Sequence, residues 1–497
     1  MLIKPDLGLA AFILSLLLMV VALVTLAYGI KDSQENWVYD TDQSENKIAS
    51  SDQVNLDIRP TRESGEVVPG FRPNSSSSSG EPENKPIAPS IEPPGDALVL
   101  AHYMLWYKTP NYGAKWQHWN WDPDGDGGQD AQDHIPNRLN IDGLPDIASA
   151  HQPLIGPYDS GDPDLIEYHL ALAWATGING FVVDWYGPGD KGDIDLALTR
   201  MFDIVQRWRE EYQFRFFIAV TYEEQILLQI DSSEAQEAAA QAHLKYALDK
   251  YVTKPGYLRY QDVPLIFFFE TWPNGRPGLL RPEQLERIQT KLPQLNLIYM
   301  GAEQEFLGVS QGFFSWVSGA NENPSDWGQS YADWVYGEMD FQTQQHDLTL
   351  NIGSVWAGFD DSKVWGWGES PRFIDRQNGI VYAKTWELAV KDRDNHKRKS
   401  PSWVQIITWN DWNEGSEIEP SLQYGYSYLR ATQNFVHSYS GREWSPIALK
   451  IPEVIYQARK EAPGSKTEAI VTEVYPLFFA GNFEAALAVL RSKKLVE

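Results

Sequence analysis

The chain has no cysteine. That excludes disulfide bonds, thiolate nucleophiles and zinc–thiolate sites, so the fold must rest on its own hydrophobic core. Basic residues are also scarce: 41 Lys and Arg stand against 68 Asp and Glu, a formal net charge of −27. Such a surface repels phosphates, so no nucleic-acid partner is expected. No glycine-rich phosphate loop follows the first apolar run, which counts against a nucleotide-binding open sheet. What the chain has in excess is aromatic surface: 20 Trp, 24 Tyr and 20 Phe in 497 residues. Soluble cores favour Leu, Ile and Val, and surplus Trp often ends half exposed in clefts, where its flat face stacks on a sugar ring. An acidic, Trp-rich chain fits carbohydrate work; it also fits a large core that uses Trp as filler.

One long uncharged run occurs, "LGLAAFILSLLLMVVALVTLAYGI" at 7–30. As a helix rising ~1.5 Å per residue it would cover a hydrocarbon layer of roughly 30 Å. It exceeds the ~7–15 residues usual for the apolar part of a signal peptide, so residues 1–31 are expected to be an uncleaved single-pass anchor. The alternative is a signal peptide cut after Ala27, giving a secreted protein. Lys4 before the run and the acids Asp32, Glu35 and Asp40 after it favour an extracytoplasmic bulk. Residues 32–96, including "RPNSSSSSGEPENKPIAPSIEPPG", lack apolar periodicity and read as a disordered Ser/Pro-rich linker.

From Ala97 short apolar runs recur: "ALVLAHY" (97–103), "GINGFVVDW" (177–185), "FRFFIAVTY" (214–222), "PLIFFFE" (264–270), "LNLIYMG" (295–301), "GFFSWVS" (312–318), "LTLNIGSVW" (348–356) and "WVQIITW" (403–409). Continuous rather than alternating apolar character marks parallel strands covered on both faces. Helical patterns lie between most of them. "DPDLIEYHLALAWATG" starts on Asp162 and Pro163 and stops at Gly177. "DIDLALTRMFDIVQRWREEY" (193–212), "SSEAQEAAAQAHLKYALDKYV" (232–252) and "SPRFIDRQNGIVYAKTWELAV" (370–390) follow. The pattern predicts a (β/α)8 TIM barrel with long loops over 97–443, with a doubly wound open sheet as competitor. Residues 444–497 read as a short helical extension.

Active sites of such barrels gather where the strands end. Here those ends carry Asp184, Glu223, Glu224, Glu270, Glu303, Asp360 and Asp361, in company with Trp185, Tyr186, Trp272 and Trp409. Singly, each acid is an ordinary loop solubiliser or ion-pair partner; converging with aromatics, they describe a sugar-binding cleft. The eighth run continues into "WNDWNEGSEIEP" (409–420), with Asp411 and Glu414 three residues apart. Glycoside cleavage needs one protonated carboxyl to assist the leaving oxygen and one ionised carboxylate on the other side of the bond. One short loop would fix their separation, while burial and mutual repulsion would split their proton affinities. Alternatively the two acids merely cap the next helix.

The segments "ITWNDWNEGSEIEPSLQYGYSYL" (407–429), "HQPLIGPYDSGDPDLIEYHLALAWATGINGFVVDWYG" (151–187), "AHYMLWY" (101–107) and "GFDD" (358–361) resemble glycoside hydrolase family 99. Its relatives include family 71 α-glucanases and WbsX-like proteins of polysaccharide loci. The resemblance spans roughly residues 97 to 440 and implies a retaining endo-hydrolase of α-linked mannose- or glucose-type glycans. In that family the first carboxylate of the motif is a base on the sugar's own 2-hydroxyl, giving a 1,2-anhydro intermediate. The second protonates the departing oxygen and later activates water. By position Asp411 would be the base and Glu414 the acid/base, although the family's usual residue at the first position is Glu. Tyr103, Trp106, Asp159, Trp185, Tyr186, Tyr222, Glu270, Trp409 and Asn410 would line the pocket. The resemblance also admits a noncatalytic carbohydrate-binding or polysaccharide-biosynthesis protein using the same cleft. No cofactor is expected for catalysis.

One motif stands apart. "DPDGDGGQDAQD" (122–133) has the spacing of a calcium loop, with oxygens at Asp122, Asp124, Asp126, Asp130 and Asp133. The last position usually holds Glu, and the flanks do not form paired helices; otherwise it is an acidic surface loop.

Overall fold

Eight parallel strands close on themselves around a central axis. The computed structural model describes residues 98–496, apart from 113–114, 126–132, 190–192, 272–277, 294, 318–326, 347–349, 369, 395–402 and 441–443. The expected anchor and linker, at 1–31 and 32–96, and also Trp272, Asp126 and Asp130, lie outside the described residues. Among the described residues no helix is long and apolar enough to cross a membrane.

The strands are β1 (Val99–Tyr103), β2 (Gly180–Trp185), β3 (Phe217–Glu223), β4 (Val263–Phe269), β5 (Asn296–Met300), β6 (Gly312–Phe314), β7 (Ile352–Trp356) and β8 (Trp403–Ile407). Each pairs in parallel with its sequence neighbours, and β1 pairs with β8, which closes the ring. The eight coincide with the apolar runs to within one residue, β3 adding Glu223 and β4 starting at Val263, because a strand covered by side chains within and helices without has no wet face. The open-sheet alternative is thereby excluded.

The helices between them are α1 (Pro163–Thr176), α2 (Ile194–Tyr212), α3 (Ser233–Ala247), α4 (Pro282–Lys291), α5 (Gln329–His346) and α6 (Ile380–Asp394), with α7 (Ser427–Ser440) after β8. The Asp162 carboxylate caps α1 by accepting from the amide of Asp164 at 3.0 Å, and Gly177 ends it at φ 95°, where a Cβ would strike Val436 and Trp444. Between β5 and β6 only a turn of 3₁₀ helix, Gln304–Phe306, is present. Residues 301–311 are too few for a helical crossover. The expected helix over 370–390 starts only at Ile380, since Phe373–Ile374 pairs antiparallel with Phe359–Asp360 as a hairpin. That hairpin carries part of the site.

Strand parity sorts the interior. Leu100, Val182, Ala219, Phe267, Ile298, Phe314, Ile352 and Trp403 form one buried apolar cluster that fills the barrel. Two residues on along the same strands stand His102, Asp184, Thr221 and Gln405, so the filling turns polar towards the strands' C-terminal ends. His102 Nε2 lies 2.8 Å from Asp184, and its Nδ1 lies 3.0 Å from Gln405 Nε2. Residues of opposite parity face the helix layer.

The tail forms α8 (Lys450–Glu461), α9 (Ser465–Phe479) and α10 (Phe483–Ser492). It packs on α1 and α2: Trp174 meets Phe478 and Phe479 at 5.3 Å each, and Trp208 meets Tyr475 at 5.3 Å. Arg459 pairs with Glu167 of α1 at 2.7 Å. Its apolar faces thus cover the outside of two barrel helices.

Candidate active site

At the C-terminal ends of the strands opens a cavity of about 420 Å³. Asp184, Glu223, Asp411 and Glu414 all reach it, walled by Trp106, Tyr186, Phe269, Trp316 and Trp367. Parity explains the first two: Asp184 follows Val182 and Glu223 follows Ala219 on the inward face. The loop after β8 delivers the others.

That loop is closed by its own backbone. The amides of Thr408 and Ser416 donate to the carbonyls of Ser416 and Asp411, and the amide of Ile418 donates back to Thr408. Gly415, at φ 56°, lies so close to Asp360 that a Cβ would sit 2.9 Å from the Asp360 carbonyl oxygen, and this proximity lets the Asp360 amide reach the Glu414 carbonyl at 2.6 Å. The four carboxylates of "WNDWNEGSEIEP" then divide by task. Glu417 is buried against His151 at 2.9 Å and Arg376 at 2.7 Å. Glu419 is buried against His169 at 3.0 Å and accepts from the Tyr158 hydroxyl at 2.7 Å. Those two hold the loop. Asp411 and Glu414 face the cavity.

The Glu414 amide donates to Asp411 Oδ1 at 3.0 Å, and the Asp411 amide donates to Thr408 Oγ1 at 2.7 Å. On the side chain of Glu414, Oε2 accepts from the Trp316 indole at 3.4 Å and Oε1 from the Trp367 indole at 3.2 Å. Arg372 stays 4.0 Å from Glu414 because Asp361 holds its guanidinium at 2.7 Å. Burial pushes the Glu414 carboxyl up to about 7, with Arg372 and Trp316 pulling the other way. Burial, then the charge of Glu414, raises Asp411 well above the usual carboxylate range. Burial and then Asp184 do the same for Glu223. Glu223, Asp411 and Glu414, all with raised proton affinity in one hollow, do not all ionise together near neutral pH. The site therefore holds both a proton donor and an acceptor near neutral pH.

Of the residues expected at the site, Trp106 and Tyr186 line the cavity with Asp411 and Glu414. The rest do not line it. Tyr103, Trp185 and Tyr222 point into the helix layer by parity: Tyr103 reaches His169 at 2.7 Å, Trp185 stacks on Tyr246, and Tyr222 meets His243 at 2.9 Å. Trp409 is wholly buried against Phe181 and His169. Asn410 spends its amide on the backbone of Met104, accepting at 2.8 Å and donating at 3.0 Å, and so ties the loop to the end of β1. Asp159 accepts from the Gly161 amide at 2.9 Å in the turn before α1. Glu270 is buried beside Gly301.

Sequence reasoning missed His118, Gln225, Trp316 and Trp367, which come from the segments that follow β1, β3, β6 and β7. Trp316 alone had a local signal, being two residues beyond the inward Phe314. His118 stacks on Trp106 at 4.7 Å, and Gln225 Nε2 bridges Glu223 at 3.2 Å and the Tyr186 hydroxyl at 3.1 Å. Of the acidic loop, Asp122, Asp124 and Asp133 each offer an oxygen within 4.8 Å of the others. An all-carboxylate donor set suits a hard cation such as Ca²⁺.

The sequence model described as glycosyl hydrolase family 99 matches residues 94–439. The glycoprotein endo-alpha-1,2-mannosidase of Mus musculus is 23% identical over 346 residues, 66% of this chain and 69% of that one. The uncharacterized protein WxcX of Xanthomonas campestris pv. campestris is 23% identical over 329 residues, 58% of this chain and 44% of that one. Among solved structures, the GH99 endo-alpha-mannosidase from Bacteroides thetaiotaomicron superposes with a TM-score of 0.51 at 21% identity, covering 69% of this chain and 97% of that one. That last likeness speaks for the fold. With the family match running the length of the barrel, the chain belongs to glycosyl hydrolase family 99 and is a glycoside hydrolase acting on O-glycosyl bonds.

Proposed function

We propose that the protein is a retaining endo-hydrolase of α-linked mannose- or glucose-type glycans, with Asp411 as base and Glu414 as acid/base. The observation that carries this reading is that one rigid loop brings both carboxyls into one aromatic-walled cavity. Asp411 would take the proton of the sugar's 2-hydroxyl as O2 closes on C1. Glu414 would give its proton to the departing oxygen; the C1–O2 bond of the 1,2-anhydro sugar would then open to water that Glu414 deprotonates, while Asp411 returns its proton to O2. Raised to about 7, Glu414 has both its protonated and its ionised form available near neutral pH, as an acid/base needs, and raised proton affinity makes Asp411 a stronger base once it is ionised. The α-mannose preference is borrowed from the printed names of the relatives. Replacing Glu414 by Gln should abolish turnover of α-mannan while leaving binding; turnover equal to wild type refutes the assignment.

A noncatalytic, polysaccharide-assembly role is the second reading, favoured by Asp411 in place of Glu. One methylene matters where placement is worth about 10²-fold per ångström. Against it, Asp411 reaches the cavity despite its shorter side chain. Saturable binding of α-mannan with no released oligosaccharide would favour it.

Two further proposals concern the surroundings. The apolar run at 7–30 would tether the enzyme, with 32–96 as spacer and the barrel outside the membrane; a protein found wholly in the soluble fraction, cut after Ala27, would replace this with secretion. Asp122, Asp124 and Asp133 would hold a structural Ca²⁺ with no part in the chemistry.

A further inference from the structure

Glu414 is held by both of its side-chain oxygens, and neither holder carries a charge. Oε2 accepts from the indole N–H of Trp316 at 3.4 Å, and Oε1 from that of Trp367 at 3.2 Å. The two indoles reach it from different elements. Trp316 stands two residues beyond Phe314 of β6 and packs edge-on against His102 at 4.7 Å and Phe269 at 4.9 Å. Trp367 comes from the loop between the hairpin strands Phe359–Asp360 and Phe373–Ile374. There Trp365, Gly366, Trp367 and Gly368 have φ of 49°, 57°, 60° and 99°, a region that L side chains rarely adopt, so the surroundings must hold the run in place. Asp361 does so. Its carbonyl accepts from the Gly366 amide at 3.1 Å, and its carboxylate accepts from the Arg372 amide at 2.6 Å and from Arg372 Nε at 2.7 Å.

The same contacts keep a cation away from Glu414. The guanidinium of Arg372 is drawn onto Asp361 and stays 4.0 Å from the Glu414 carboxyl. In full contact it would fix Glu414 as a carboxylate, because a guanidinium is always charged and bonds the ion far more strongly than the acid. An indole is uncharged and only donates. Two indoles can therefore orient the carboxyl in either protonation state, and neither can take its proton. Their bonds strengthen as negative charge develops on the oxygens, which happens as Glu414 hands its proton on.

We propose that Trp316 and Trp367 are positioning residues that clamp Glu414 by both oxygens and strengthen it as the acid in the step that breaks the glycosidic bond. The proposal rests on the hydrolase reading for that step; the clamp itself rests on the geometry. Around it stand the acids Asp184, Glu223, Asp361 and Asp411 and the cation Arg372. Tyr186 shares the cavity, His102 lies against Trp316, and His118 is edge-on to Trp367 at 6.3 Å. Removing one indole N–H leaves all of these in place, so a comparison with and without the Glu414 carboxyl subtracts them.

The test compares wild type, Trp367→Phe, Glu414→Gln and the double variant at pH 4 and pH 8. Phenylalanine keeps a ring and loses the N–H. Because that N–H favours ionised Glu414, its loss should lower the melting temperature by about 1–2 °C more at pH 8 than at pH 4. The extra loss should vanish when Glu414→Gln is the background. A loss equal at both pH values, or an extra loss that persists in the double variant, overturns the clamp. In turnover, the alkaline limb of kcat/KM, where Glu414 gives up its proton, should move up by about one pH unit in Trp367→Phe. Its kcat/KM should also fall about tenfold more on α-mannan than on a dinitrophenyl α-mannobioside, whose phenolate leaves without a proton. An unmoved limb, or equal losses on the two substrates, overturns the part in acid strength. Trp316→Phe carries the same predictions and decides them if Trp367→Phe does not fold. Should wild type cleave neither substrate, the hydrolase reading fails by itself, and the melting comparison still decides the clamp.

Discussion

The backbone amide of Glu414 donates to the carboxylate of Asp411 across 3.0 Å. The two acids are therefore one mechanical unit: the base is steadied by the residue that carries the acid. A spacing of three residues within a closed loop is what makes that bond possible.

Removing the charge of Glu414 should stabilise the protein at neutral pH. Its carboxyl, only 15% exposed, is raised from an ordinary 4.5 to about 7 on folding. The folded state thus binds the proton more tightly, so this group's favourable contribution is complete below about pH 4.5 and is lost as pH rises through 7. Glu414→Gln should match wild type in melting temperature at pH 4 and exceed it at pH 8, where its unfolding free energy should be larger by about 1–3 kcal/mol. Equal melting temperatures at pH 8 would contradict the burial argument.

Arg376 should prove indispensable to the loop although it touches no substrate. Its Nη2 donates to the carbonyls of Gly415 and Glu417 at 2.9 Å each and pairs with the buried Glu417 carboxylate at 2.7 Å. Arg376→Met leaves that carboxylate without its guanidinium, at a cost of about 3–5 kcal/mol. Urea unfolding measures it; a loss under about 1 kcal/mol would show that His151 alone suffices.

The strands were legible because a covered parallel strand shows an unbroken apolar run, and α1 because Asp162, Pro163 and Gly177 mark its ends. What residue type alone did not convey was parity. Tyr103, Trp185 and Tyr222 look like sugar platforms, yet each stands one residue out of phase with the inward His102, Asp184 and Glu223. Counting by twos from Val182 and Ala219 separates the inward Asp184 and Glu223, already noted at the strand ends, from their outward neighbours. Trp367 and His118 were beyond such counting, since their loops are placed by distant contacts. The segment at 370–379 has helical character that the pairing of Phe373–Ile374 with Phe359–Asp360 overrides.

Calcium should bind the loop at Asp122, Asp124 and Asp133. Calorimetry should record a saturable heat with Ca²⁺ and a raised melting temperature that a chelator reverses, both weakened in Asp124→Asn. Absence of heat together with an unchanged melting temperature would remove the ion.

Asp411→Asn should lower kcat about 10²–10⁴-fold with little change in KM, because the amide cannot accept the 2-hydroxyl proton. A rise in KM at unchanged kcat would make Asp411 a binding group only.

The most direct measurement follows product anomers by ¹H NMR in the first minutes of α-mannan digestion. Two displacements at C1, first by the sugar's own O2 and then by water, return the original configuration, so the new reducing end should appear as the α anomer before mutarotation. A β anomer appearing first would mean a single displacement by water and would contradict the roles given to Asp411 and Glu414.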